Sequence, residues 1–117
     1  MKISWAVTLA YIILITILSH QPADNVSEVS PNIKNVDKLF HFIEFSILGF
    51  LIFGSLSLNS KEFDKVFSLS IKIGILFSCL DEYHQSFIDG RDSSLVDLVF
   101  DSLGVLFGTF VHYRFFR

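Results

Sequence analysis

The sequence predicts an all-α, polytopic integral membrane protein, a bundle of four transmembrane helices, and three observations predict it. Apolar residues make up 51% of the 117 and the mean hydropathy is +0.56, too apolar for a small domain that must keep a polar surface. The charged residues, 18% of the chain, gather between long apolar runs instead of alternating with apolar positions as on a water-facing helix. There are four such runs, each near the length that crosses a hydrocarbon core of about 30 Å. The net charge of −3 and a pI near 5.7 come with no basic patch, which sets nucleic acid aside as a partner. Glycine and proline are sparse and no block repeats, so one domain over residues 1–117 is expected.

The first helix is expected over residues 3–19, after Met1 and Lys2 and before the His20-Gln21-Pro22 breaker. A secretory signal peptide begins alike, but no small-x-small cleavage site follows, so an uncleaved helix is expected. Pro22 to Val36 is polar with two prolines and reads as an extended loop; Asn25-Val26-Ser27 within it matches a glycosylation sequon by pattern alone. Further helices are expected over 37–58, 66–87 and 94–113, joined by short polar loops. Cys79, the lone cysteine, cannot form an internal disulfide and is expected to pack as a small apolar side chain.

Lysine and arginine set the orientation. Lys2, Lys61, Lys65, Arg114 and Arg117 lie on one side and Lys34, Lys38 and Arg91 on the other, so the first side is expected to be cytoplasmic, with both termini. The long first loop and the turn from Asp89 to Ser93 then face outward.

The expensive residues gather at that outer end. Asp37, His41 and Glu44 recur at i, i+4 and i+7 on one face of the second helix, and at about 1.5 Å per residue Glu44 lies about 10 Å deeper than Asp37. A carboxylate at that depth needs a partner or a proton. The third helix ends in Asp81-Glu82-Tyr83-His84-Gln85, where Asp81 and Gln85 share a face and Glu82 points about 100° away, so only some of them are expected to face one centre. In the fourth, Ser94, Asp97, Asp101, Gly104 and Gly108 form a polar or small stripe opposite Leu, Val and Phe.

Plainer roles compete for several of these. Ser94-x-x-Asp97 is a helix-start pattern, in which Ser94 caps and Asp97 meets the positive end of the helix dipole. Gly104 and Gly108 are a small-xxx-small pair, which favours close helix packing. Trp5, Tyr83, His84 and Tyr113 lie near helix ends, where amphipathic rings anchor at headgroups. Lys72 can snorkel from the cytoplasmic half of the third helix. A lone His41 is more often a hydrogen-bonded interior histidine than a metal ligand. The whole set is more telling, because Asp37, His41, Glu44, Asp81, Glu82, Asp97 and Asp101 cannot all ionise at close quarters without a cation, Arg91 or bound protons.

Asp37-Lys38-x-x-His41-Phe42, then Asp81-Glu82-x-x-Gln85, then Gly90-Arg91-x-x-Ser94-x-x-Asp97 with Gly104 and Gly108, taken in this order, resemble the VanZ-like membrane protein family from about Ser19 onward. Two positions depart from its pattern: Phe45 stands where an aromatic hydroxyl is common, and Asp101 where an asparagine is usual. The family takes its name from a protein associated with low-level resistance to the glycopeptide teicoplanin. The resemblance therefore implies a place in the bacterial cell envelope, in the cytoplasmic membrane; a resistance role for this chain would be an analogy.

The residues themselves fit a site for an envelope lipid or lipid-linked glycan headgroup at the outer leaflet. Arg91 suits a phosphate, since its planar fork donates two parallel hydrogen bonds. Asp37, Asp81, Glu82, Gln85, Ser94, Asp97 and Asp101 supply further ligand groups, and oxygen-rich clusters with one histidine suit a divalent cation such as magnesium, calcium, manganese or zinc. Were the chain an enzyme, His41 or Glu44 would transfer the proton in hydrolysis or transfer at a phosphate, because burial tunes the proton affinity of either. Two other classes compete: a non-catalytic scaffold or accessory membrane subunit whose polar groups only fix the bundle, and an ion path, for which the cytoplasmic half offers only Lys72.

Overall fold

The computed structural model describes residues 1–19, 33–87 and 95–117, apart from the side chains of residues 19 and 33–37. The expectations for the first loop, its sequon, the 89–93 turn, Arg91, Ser94 and the Asp37 side chain lie outside the described residues. Four α-helices account for most of what is described: α1 over Trp5–Ser19, α2 over Ile33–Leu56, α3 over Phe63–Gln85 and α4 over Leu95–Val111, which runs on as a π-helical turn, His112–Phe116. No strand occurs among the described residues.

Helix α2 starts ahead of the expected Asp37, at Ile33, so Asp37 lies inside the helix. Two stretches, Lys38–Leu56 and Leu95–Phe116, are long and apolar enough to cross a membrane. Trp5–Leu18 is apolar but shorter, and α3 is long enough but carries Asp64, Lys65, Lys72, Asp81 and Glu82. By length and hydropathy alone, therefore, two of the four expected spans qualify.

Side-chain bonds fix the topology. Just ahead of α1, the Ile3 backbone N–H donates to the Gly54 carbonyl at 3.2 Å; on α1 itself, Thr8 Oγ1 meets Ser55 Oγ at 2.6 Å and the Tyr11 hydroxyl donates to the Glu44 carbonyl at 2.8 Å. Low numbers on α1 thus face high numbers on α2, and the two run antiparallel. Helix α3 is antiparallel to α2 as well, with Phe45 against Phe77 (centroids 6.0 Å apart) and Phe53 against Phe63 (6.2 Å). Helices α2 and α4 run parallel in the closest contact of the fold: a Cβ on Gly104 or Gly108 would strike the carbonyl oxygens of Phe42 and Ser46. The small-xxx-small pair therefore packs within this chain, and the helices approach so nearly because neither glycine has a side chain.

A small apolar core of Ile15, Phe45, Leu48, Ile52 and Val105 fills the middle. Around it the usual distribution is inverted. Ser55, Ser70, Ser78, Thr8, Thr109, Asp101 and His112 are fully enclosed, while Leu9, Ile13, Ile17, Leu76, Leu80, Val99, Phe107 and Phe110 lie exposed. Cys79 is exposed too, contrary to the packing expected of it, because it follows the inward-facing Ser78 on α3 and turns about 100° away from it. Lys72 is exposed on α3.

His112 closes the end that holds both termini. Its Nδ1 lies 2.9 Å from the Phe50 carbonyl and its Nε2 2.8 Å from the Met1 carbonyl, and the Met1 amine donates to the Phe116 carbonyl. Phe50 and Phe53 flank the ring at 4.3 and 4.9 Å. The polar residues singled out in the sequence lie at the opposite end, on the first half of α2, the last turns of α3 and the first turns of α4.

Candidate functional site

Three helix segments meet at this end because each has a polar or small stripe to bury. On α3 the buried residues are Val66, Ser70, Gly74, Ser78, Asp81, Glu82 and Gln85; on α4 they are Asp97, Asp101, Gly104, Val105, Gly108 and Thr109. Both stripes recur every three or four residues, the repeat of one helical face, and widen by an adjacent residue at 81/82, 104/105 and 108/109. His41 supplies the facing side chain of α2 and is 6% exposed.

Asp101 is the hub. It is fully enclosed, with Oδ1 2.8 Å from His41 Nδ1 and Oδ2 accepting the Ser78 hydroxyl at 2.8 Å. One carboxylate thereby joins α2, α3 and α4. It also fixes the imidazole: with Nδ1 directed at Asp101, Nε2 is the ring nitrogen that can exchange a proton or ligate a metal. Ser78 was not singled out in the sequence, although Ser70, Gly74 and Ser78 continue the stripe of Asp81 and Gln85 at a spacing that could have signalled it.

The remaining acids lie beside this hub. His41, Glu82 and Asp97 each offer a ligand atom within 4.8 Å of the other two, and so do Asp81, Glu82 and Asp101. Glu82 belongs to both groups. Of the five residues that end α3, Asp81, Glu82 and Gln85 are buried and Tyr83 is exposed, so some but not all of them face inward, and the 100° between Asp81 and Glu82 still leaves both with a ligand atom within 4.8 Å of one from Asp101. Gln85 Nε2 donates to Asp81 Oδ2 in a long bond of 3.5 Å. Lys38, next to the Asp37 position, brings its Nζ to 3.9 Å from Asp97 Oδ1 and is the one lysine paired with the cluster among the described residues.

Glu44 is set apart. It is half-buried on the side of α2 where Tyr11 reaches its backbone carbonyl, and neither group of clustered ligand atoms includes it. Tyr11 also supplies, from α1, an aromatic hydroxyl near the position where Phe45 has none; Phe45 is fully buried and packs on Phe77.

Electrostatics limit what the cluster can be. Asp81, Glu82, Asp97 and Asp101 are four carboxylates at one buried place, against Lys38 and His41 among the described residues. Such a group is stable only with protons, a guanidinium or a cation added. The donor set suits a hard divalent ion: oxygens with one imidazole, and ligand atoms no farther apart than the roughly 4.8 Å that separates groups on opposite sides of an ion bound at about 2.4 Å. His41, Glu82 and Asp97 would hold it, with Asp101 orienting His41 from behind.

A sequence model described as VanZ/LLP1 matches residues 4–117, essentially the whole chain. No curated protein and no solved structure matches.

Proposed function

The chain belongs to the VanZ/LLP1 family, and on that premise we propose that it is a four-span protein of the bacterial cytoplasmic membrane whose buried polar cluster binds or processes the headgroup of an envelope lipid or lipid-linked glycan. Both termini face the cytoplasm in this reading, and the cluster opens toward the outer leaflet. A phosphate on the headgroup is met by Arg91, and a divalent cation on His41, Glu82 and Asp97 offsets the carboxylates.

The observation that carries the proposal is the inverted bundle. Large apolar side chains cover its outside while His41, Asp81, Glu82, Gln85, Asp97 and Asp101 are buried together at one end. Ionisable groups are costly within a bilayer and occur there mainly where they do work. The two helices that the length and hydropathy criteria miss are explained in the same terms: α1 is a short span, and the charges of α3 lie near its ends, with Lys72 reaching out along its stem.

The test is complementation of a deletion strain under cell-envelope stress, glycopeptide exposure included, with variants compared at matched membrane abundance. His41→Ala, Glu82→Gln and Arg91→Ala are expected to insert normally and to lose nearly all complementation. Full complementation by all three would overturn the proposal and leave the cluster a structural device.

A cation has its own signature. If His41, Glu82 and Asp97 hold a divalent ion, manganese or calcium added to the purified protein is expected to raise its melting temperature by about 5 °C or more at saturation. Glu82→Gln and Asp97→Asn are expected to abolish the rise. An equal rise in wild type and variants would remove the cation from the proposal.

A second reading, a non-catalytic accessory subunit, is favoured by one observation: both oxygens of Asp101 are engaged by His41 and Ser78, so part of the cluster serves to tie helices together. It predicts that the variants above lose abundance before they lose complementation.

A further inference from the structure

At the end of the bundle that carries both termini, an open cavity of about 420 Å³ is lined by Lys61, Glu62, Phe63, Asp64, Lys65 and Arg117. Its two carboxylates already have partners. Glu62 Oε2 pairs with Lys65 Nζ at 2.9 Å, and Asp64 Oδ1 accepts the Tyr113 hydroxyl at 2.6 Å. Two cations, Lys61 and Arg117, have no carboxylate partner among the described residues. Arg117 sets its guanidinium over the Tyr113 ring at 4.3 Å and beside the Phe63 ring at 5.8 Å, while Lys61 is exposed and has no ion-pair partner among the described residues.

Lys2 and Arg114 are exposed at the same end. Phe115 and Phe116 are 68% and 43% exposed, so fixed positive charge adjoins an uncovered aromatic surface. Charge of that sign beside apolar side chains matches the boundary of a bilayer containing acidic phospholipid, where phosphates lie just above acyl chains. A soluble anion would use the charges but not the aromatic surface.

We propose that this end of the protein is a binding surface for acidic phospholipid headgroups, with Lys61 and Arg117 as the two phosphate contacts and Phe63 lining the cavity between charge and acyl chains. It depends on the membrane placement proposed above and not on the polar cluster, which lies at the other end. The surface selects lipid by charge, so each of the two cations adds to a preference for acidic over zwitterionic headgroups.

The full chain is reconstituted into vesicles of phosphatidylcholine with phosphatidylglycerol, re-extracted, and its retained lipid measured by mass spectrometry. Wild type is expected to retain phosphatidylglycerol over phosphatidylcholine by about tenfold relative to the bulk mixture. The double variant Lys61→Gln, Arg117→Gln is expected to return to the bulk ratio, while Lys61→Arg, Arg117→Lys keeps the enrichment. Raised salt is expected to erase the preference in wild type, a readout that does not depend on any variant's folding. A bulk ratio in wild type, or undiminished enrichment in a well-folded double glutamine variant, would overturn the inference. So would equal displacement of the lipid by inorganic phosphate, which would make the surface a site for the free anion. Failure of the chain to enter vesicles at all would sink the membrane placement, and this inference with it; normal entry without lipid preference would sink this inference alone.

Discussion

Gly108→Val is expected to leave almost no folded bundle. A Cβ at residue 108 would strike the carbonyl of Ser46, a backbone atom of α2 that cannot rotate away. Accommodation requires the two helices to separate, and separation breaks a run of backbone approaches in which Gly49 of α2 meets Val105 and Gly104 of α4 meets Phe42 as well. Overpacking of a tight core costs about 1–3 kcal/mol and more when backbone must move, so a loss of at least about 3 kcal/mol is expected. Gly108→Ala already carries the clashing atom and should be nearly as harmful; Gly104→Ala meets the Phe42 carbonyl and should behave alike. Two comparisons isolate the cause. Gly74→Ala would meet the Val105 side chain, its methyl groups at 2.5 and 2.8 Å and its Cβ at 3.3 Å, and no backbone of another helix among its three nearest atoms, so it should be milder, though not free, because Val105 is β-branched and fully buried. Phe110→Leu, at a residue 50% exposed, should stay within about 0.5 kcal/mol of wild type. Thermal challenge in detergent followed by size-exclusion chromatography reads all five, and a folded, monodisperse Gly108→Val protein would mean that α2 and α4 are not packed backbone to backbone.

That contact illustrates how far the sequence reaches. The stripe of Asp97, Asp101, Gly104 and Gly108 is legible from spacing alone, since one helical face repeats every three or four residues whatever it packs against. The four apolar runs are legible for the same kind of reason, with ends that move by a few residues once packing decides them. What a single helix cannot reveal is which neighbour its stripe meets. Helix geometry turns Glu82 about 100° from Asp81, yet it is buried beside it, because the end of α3 meets His41 of α2 and Asp97 and Asp101 of α4 at once. Glu44 follows His41 at helical spacing, but that its stretch of α2 also meets Tyr11 of α1 is a tertiary choice that spacing cannot show. His112 gave no signal at all: its partners are the carbonyls of Met1 and Phe50, far off in sequence, and backbone atoms leave no trace in residue type.

Asp101 allows the sharpest separation of charge from shape. Asp101→Ala removes the acceptor of both His41 and Ser78 and leaves two polar groups buried without it. Breaking a buried pair from one side in this way costs about 3–5 kcal/mol, so the alanine variant is expected to lose most of its folded population. Asparagine, the residue usual at this position in the family it resembles, keeps the size and one carbonyl oxygen. Its Oδ1 can accept from His41 Nδ1 as the carboxylate does, and its amide can donate to the Ser78 oxygen if that hydroxyl turns, so both bonds survive with their polarity partly reversed. Asp101→Asn is therefore expected to stay within about 1 kcal/mol of wild type, with Ser78→Ala between the two variants. Melting temperatures of the three purified proteins in one detergent decide the matter. If asparagine proves as destabilising as alanine, then the negative charge, and not the acceptor geometry, holds His41 in place, and the cluster's positive partners become part of the fold.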